Sequence, residues 1–247
     1  MKDEAMRKEI IREEVIMEEA MREYKDIYYD LELRKRKTMS IYIERDGTVK
    51  VLAPENLSIN EIEEVLENKR YWIHSQQEEW KELNRTKRKR QFVNGEGFLY
   101  LGRSYRLKLV THQEVPLKLY QGYFCLRAED ADNARELFKE FYREKGYKKI
   151  SERVDYYKNK LGVNPSGIKI TELKNRWASC PGNGNLRFHW KVIMAPITVI
   201  DYIVVHELTH FLHENHTDAF WNTVDKVLPD YIKRKTWLRE NGASLEL

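Results

Sequence analysis

Long apolar runs are missing from this chain of 247 residues: no stretch approaches the roughly 20 apolar residues that a bilayer-crossing helix needs. No membrane partner is therefore expected. The first residues carry Lys2, Asp3, Glu4, Arg7, Lys8 and Glu9, too much charge for a signal peptide, and a cytoplasmic protein is the expectation. Cysteine is nearly absent. Cys125 and Cys180 exclude a disulfide framework and suit a reducing compartment. With 11 glycines and 6 prolines, the chain is neither collagen-like nor of low complexity. A dominant sign of charge is lacking too, because 44 basic against 40 acidic residues leave only +4. Nucleic acid as a partner rests on two local basic runs alone, Arg34-Lys35-Arg36-Lys37 and Arg85 with Lys87-Arg88-Lys89-Arg90.

Hydrophobic residues make up 41%, ample for a packed core and far above a disordered composition. The length admits one large domain or two small ones. Residues 1 to about 28 read as one amphipathic helix, with Met6, Ile10, Met17, Met21, Tyr24 and Tyr28 at steps of three, four and seven. Ile41, Ile43, Val49 and Val51 alternate around Asp46-Gly47, a hairpin signal. Ser58-Ile59-Asn60-Glu61 is a capping box that opens a helix to about Leu83. Short strands are expected at 97–101, 104–111, 117–120 and 123–127, then a helix over about 131–161 in which Gly146 is a possible interruption. A second hairpin is expected from Ile168 through the turn at 181–185 to a returning strand, 186–194.

The chemistry concentrates at Val204 to Trp221. Of the 7 histidines, His206, His210, His213 and His216 lie together, and His206-Glu207-Leu208-Thr209-His210 is a His-Glu-x-x-His motif. Val199, Ile200, Ile203, Val204 and Val205 precede it, with Thr198 as N-cap, so the motif is expected within a buried helix. Helical positions four apart lie about 40° apart around the axis, so His206 and His210 present both imidazoles to one point. That geometry suits Zn2+, which takes neutral imidazole and, in catalytic sites, three protein ligands. Glu207 is turned about 100° from His206 and reaches a water without being a ligand. His213, Glu214, His216 and Asp225 are the candidates for the third ligand. A straight helix would carry His213 about 10 Å along the axis from His206. His216 fits if the chain bends after Glu214, where Asn215 tolerates a helix-ending conformation. His74, His112 and His189 have no metal spacing and read as structural. Trp177 reads as a core anchor and Cys180 as a packed thiol.

The chain resembles the YgjP-type metal-dependent hydrolases, zincin-like metallopeptidases related to the SprT and WLM proteins. The resemblance is carried by His-Glu-Leu-Thr-His at 206–210, His216 and Phe220-Trp221. Arg176-Trp177-Ala178-Ser179-Cys180 is similar to the family's Arg-Trp-Gly-Ser-Cys, with Ala178 in place of glycine. Lys37-Thr38-Met39-Ser40-Ile41, Tyr100-Leu101-Gly102-Arg103, Met194-Ala195-Pro196, Val199-Ile200-Asp201-Tyr202, Pro229-Asp230-Tyr231 and Trp237-Leu238 extend it over 34–242. It implies His206, His210 and His216 as metal ligands and Glu207 as general base. It also implies an α+β fold, with a β-rich N-terminal portion before a zincin-like domain.

The chain is accordingly divided into a helical extension (1–30), a β-rich region with one helix (31–130) and a metallopeptidase domain (131–247). The expected function is zinc-dependent peptide hydrolysis by a zinc-activated water, with protein or peptide as substrate. Trp177–Cys180 would pair with an extended substrate, and Tyr202, His213 and Tyr231 are candidates for stabilising the oxyanion. The alternative is a non-enzymatic, zinc-stabilised module that binds nucleic acid or protein. Structural zinc sites are closed and cysteine-rich, whereas Cys125 and Cys180 have no paired spacing and Glu207 would have no purpose. A peptidase directed to nucleic-acid-bound proteins, as in SprT-like relatives, would join the two.

Overall fold

The computed structural model describes residues 21–85, 90–173 and 176–247. The chain divides into two units, Met1–Arg85 and Thr86–Leu247. The β-rich stretch expected over 31–130 is thus shared between them, and residues 86–89 of the second basic run lie outside the described residues.

In the first unit, β1 (Met21–Tyr24) pairs antiparallel with β2 (Ile27–Arg34). This corrects the expected helix: its residues 21–28 are a hairpin, and 1–20 lie outside the described residues. Ile27 and Tyr29 are buried and Tyr28 between them is exposed, which is a period of two rather than 3.6. Lys25 takes a positive φ of 54° at the two-residue turn. The steps of three and four among Met21, Tyr24 and Tyr28 are incidental, since Met21 and Tyr28 both face solvent. β3 (Ser40–Ile43) and β4 (Val49–Pro54) form the expected hairpin around Asp46-Gly47, where Gly47 adopts φ 90°. The sheet order is β1-β2-β4-β3, with β2 and β4 parallel. α1 (Ile59–Asn84) starts at the capping box: Ser58 Oγ accepts from the Glu61 amide, and Glu61 Oε2 accepts from the Ser58 amide at 2.8 Å. Its Ile62, Leu66 and Ile73 are buried on Ile27, Tyr29, Val49, Val51 and Ala53.

The second unit holds two sheets. β5 (Gly97–Tyr100), β6 (Arg103–Val110), β7 (Leu117–Tyr120) and β8 (Tyr123–Arg127) are ordered β5-β6-β8-β7. A 3-10 turn, Ala128–Asn133, leads into α2 (Ala134–Leu161), whose Phe138 and Tyr142 pack with Phe98 and Phe124. Gly146 does not interrupt α2, because it is buried against Ile170 and Ile193, which leave only ordinary contact distance for a Cβ. β9 (Gly167–Thr171), β10 (Ala178–Ser179) and β11 (Asn185–His189) form the other sheet, in the order β10-β11-β9. The hairpin partner of β11 is β10, and β9 runs parallel to β11. Trp190–Met194 is a 3-10 turn rather than strand, which lets Trp190, Val192, Ile193 and Met194 all be buried. Next come α3 (Ile197–Thr209), α4 (Asp218–Val227) and α5 (Tyr231–Asn241).

The start of α3 is fixed by the tight turn between β5 and β6. Leu101 and Gly102 donate their amides to the carbonyls of Ile193 and Met194, both at 2.9 Å. Pro196, not Thr198, occupies the N-cap. Gly102 has φ 77°, and a Cβ there would lie 2.8–2.9 Å from Pro196, partly against its backbone. Gly122 has a similar φ of 81° but open space around it. Gly102→Ala is expected to cost about 3 kcal/mol, from backbone strain plus overpacking, and Gly122→Ala about 1 kcal/mol, from strain alone. Urea unfolding followed by tryptophan fluorescence measures both, and equal costs would show that the contact with Pro196 does not fix α3.

Candidate metal centre

α3 is apolar on nearly every side, and Val199, Ile200, Ile203, Val204, Val205 and Leu208 are all buried in the core of the second unit. Such a helix carries its polar residues into the interior, where each needs a partner. Thr209 meets this by donating its hydroxyl to the Val205 carbonyl at 2.8 Å. Asp201 meets it through Arg153 of α2, whose Nε and Nη2 donate at 2.5 and 3.1 Å. Arg234 of α5 stands 3.9 Å from the same carboxylate and donates to the Thr198 carbonyl at 3.0 Å. This clamp ties α3 to α2 and α5.

The helix stops at Thr209, with His210 as its C-cap. This is earlier than the bend expected after Glu214. The chain then turns, through amide bonds from Leu212 and His213 to the Thr209 carbonyl and from Thr217 to the Asn215 carbonyl. That reversal brings His216 back over the helix. Its Nε2 lies 3.0 Å from Nε2 of His206. The ring centroids of His206, His210 and His216 are 4.8–5.0 Å apart in pairs. One nitrogen from each ring lies within 4.8 Å of the others, a cluster able to hold a metal ion. Phe220 of α4, fully buried, lies beneath all three, with centroid separations of 4.7–5.0 Å.

The other candidates for the third ligand stand elsewhere. His213 turns its Nε2 to Thr223 Oγ1 at 3.0 Å, while its carbonyl lies 3.2 Å from Nδ1 of His210. A protonated Nδ1 donates to that carbonyl, which fixes the His210 ring and leaves Nε2 with a lone pair. Glu214 and Asp225 are exposed and outside the cluster.

Electrostatics follow from burial. His206 is held far below the usual imidazole range, at about 3, first by burial and then by the charges of His216, His210 and Lys235. Burial also lowers His216, with His210 and Lys235 adding to it. His206 is therefore neutral at pH 7 and His216 is biased the same way, so both offer lone pairs. Glu207, only 7% exposed, is pushed up to about 7 by the same burial, against the opposing charge of Arg176. Tyr202 and Cys180 are both raised, by burial and then by the Glu207 charge, which puts all three in one electrostatic neighbourhood.

These residues fit a metal such as zinc. Zn–N bonds of about 2.0–2.1 Å in tetrahedral geometry separate two ligand nitrogens by about 3.3 Å, close to the His206–His216 spacing. Two neutral imidazoles whose Nε2 atoms face each other need either a shared proton or a shared cation. The buried Nδ1 of His206 has no hydrogen-bond partner among the described residues.

The family whose description is YgjP-like, metallopeptidase domain, matches residues 37–241. The chain belongs to that family. This YgjP-like chain is thus of the metallopeptidase class, with the His triad able to hold the metal. No curated protein matches it. Among solved structures, the crystal structure of the metallopeptidase zymogen of Pyrococcus abyssi abylysin is similar, with 22% identity and a TM-score of 0.36. The likeness covers 40% of this chain and 99% of that one.

Sequence reasoning about this YgjP-like chain missed three contributors. Phe220 entered only as part of a motif, and nothing in its spacing marks it as the floor under three imidazoles. Lys235, 4.4 Å from the Trp221 ring centroid, has no local signal at all. Arg153 lies 48 residues from Asp201, beyond any helical periodicity. Asp201→Asn is expected to cost about 2–3 kcal/mol, because the arginine bonds lose their charged acceptor in a mostly buried place. Urea unfolding reads this loss, and a cost below about 0.5 kcal/mol would show that the clamp does not hold α3.

Proposed function

We propose that the chain is a zinc-dependent peptidase in which His206, His210 and His216 hold the metal and Glu207 is the general base. The observation that carries this reading is the convergence of three imidazoles next to the buried carboxylate of Glu207, which follows His206 on α3. When bound, zinc supplies Lewis acidity toward the scissile carbonyl and the attacking water. Glu207 takes a proton from that water on its carboxylate oxygen and returns it to the leaving amine. Burial raises Glu207, and a cation nearby would draw it back toward the ionised form that accepts the proton. Tyr202, with its ring centroid 5.9 Å from that of His206, is the candidate for donating to a developing oxyanion.

The substrate backbone has a docking edge beside this constellation. β10 pairs with β11 on one side only among the described residues. An extended peptide adds to such an edge by main-chain hydrogen bonds, and this supports peptide over other hydrolysable substrates. The partly exposed Cys180 follows this strand but, with its thiol raised by burial, is a poor nucleophile. The structural-zinc alternative is disfavoured by the donor set, since exposed His216 leaves the cluster open and no cysteine completes it.

Chain purified without added metal is expected to carry about one zinc per molecule, and His216→Ala less than about a tenth of that, by atomic absorption. Chelation is expected to lower the thermal midpoint of the wild type and leave that of His216→Ala unchanged. Zinc retained in full by the variant would move the third ligand elsewhere. Glu207→Gln is expected to keep its zinc and lose about 10²–10⁴-fold in kcat on a quenched-fluorescence peptide library. An unchanged kcat in that variant would overturn the general-base assignment.

A further inference from the structure

The first unit has a groove for which the peptidase reading finds no use. It encloses about 270 Å3 between β3 and α1 and is lined by Met39, Ile41, Val65, Lys69 and Trp72. Its two walls follow from periodicity. Met39 and Ile41 are two residues apart, so they share the face of the sheet that α1 covers. Val65, Lys69 and Trp72 stand at i, i+4 and i+7 of α1, a stripe adjoining the buried Ile62, Leu66 and Ile73. The helix thus lays one stripe on the sheet and turns the next into the groove. Trp72 remains 42% exposed there, more than an aromatic needs if its only role is packing.

The groove runs along an open edge. β3 is last in the order β1-β2-β4-β3 and pairs only with β4 among the described residues, so its outer N–H and C=O groups face outward. Charge completes the pattern. Lys69 is the charged residue of the lining. On the opposite face of β3, Arg36 donates to Ser40 Oγ at 2.6 Å, a neutral partner that leaves its positive charge uncompensated. Exposed Lys35 and Lys37 flank it, while Glu61 in the first turn of α1 is held by Ser58.

We propose that this groove binds an extended peptide that adds as a strand along β3, with alternating apolar and acidic side chains. Alternation is what the two faces require. Every second side chain of an added strand points into the apolar groove beside Trp72, and the ones between point to the face that carries Arg36. This site goes beyond the metal centre and does not depend on it.

The test titrates two capped octapeptides, one alternating valine and glutamate and one alternating valine and lysine, into the full-length chain. Binding is read by calorimetry with and without a chelator, which stops any cleavage. The valine–glutamate peptide is expected to bind at least about tenfold more tightly, with chelation changing nothing. Trp72→Ala is expected to weaken it about thirtyfold, as loss of an aromatic anchor does. The surface variant Arg36→Glu/Lys69→Glu, which leaves the core intact, is expected to reverse the preference between the peptides. No saturable binding, equal affinity for both peptides, or affinity unaffected by both variants would overturn the proposal. Self-association in sedimentation that Trp72→Ala abolishes, without peptide binding, would also overturn it by making a second copy the occupant. Because metal content and hydrolysis are not read, failure here leaves the zinc-peptidase reading standing.

Discussion

The site depends on α3 ending at Thr209. A helix continued by two turns would carry His213 along the axis and His216 farther still, and no three imidazoles would meet. The stop at His210 lets six residues reverse the chain, so that His216 faces His206 with Nε2 atoms 3.0 Å apart. What draws the chain back is α4, whose Phe220 and Val224 are wholly buried. Burial of a phenylalanine contributes about 2–3 kcal/mol, enough to favour one loop path over many. Phe220 spends that burial under the three histidine rings, so the hydrophobic contact that closes the fold also assembles the donors.

Burial explains the electrostatics with one cause and two signs. Low dielectric disfavours whichever form is charged, so His206 falls to about 3 while Glu207 rises to about 7. The first shift suits the binding of a cation. Neutral imidazoles bind metal without first releasing a proton, and a positive ion beside Glu207 draws its carboxyl back toward the ionised form. Asp201, on the same helix, shows the opposite treatment. It is buried too, but the paired donors of Arg153 compensate it, as befits a group that anchors rather than reacts.

Legibility in the sequence divides along the range of the signals. His206, Glu207 and His210 were readable because helical geometry alone relates them, and the capping box at Ser58 and the hairpin at Asp46-Gly47 because each is local. His216 required a bend; the bend was anticipated, but it occurs at His210 rather than after Glu214. The hairpin over 21–34 was misread because Met21, Tyr24 and Tyr28 imitate helical spacing, whereas the deciding alternation lies in Ile27 and Tyr29. The parallel pairing of β9 with β11 and the clamp of Arg153 on Asp201 join distant segments, which no single periodicity encodes.

Two of the edge strands, β10 and β3, are places where main-chain groups can meet a partner. β10 is two residues long and β3 four. Edges this short pair weakly by backbone bonds alone, so they resist indiscriminate aggregation and leave selection to the side chains around them. At β10 those side chains include Arg176, whose charge reaches Glu207, together with Cys180. At β3 they are an apolar stripe with Trp72 and cations on either side. The same backbone geometry therefore has opposite settings in the two units. One edge lies near Glu207, a carboxylate raised by burial, whereas the other lies next to positive charge and a half-exposed aromatic.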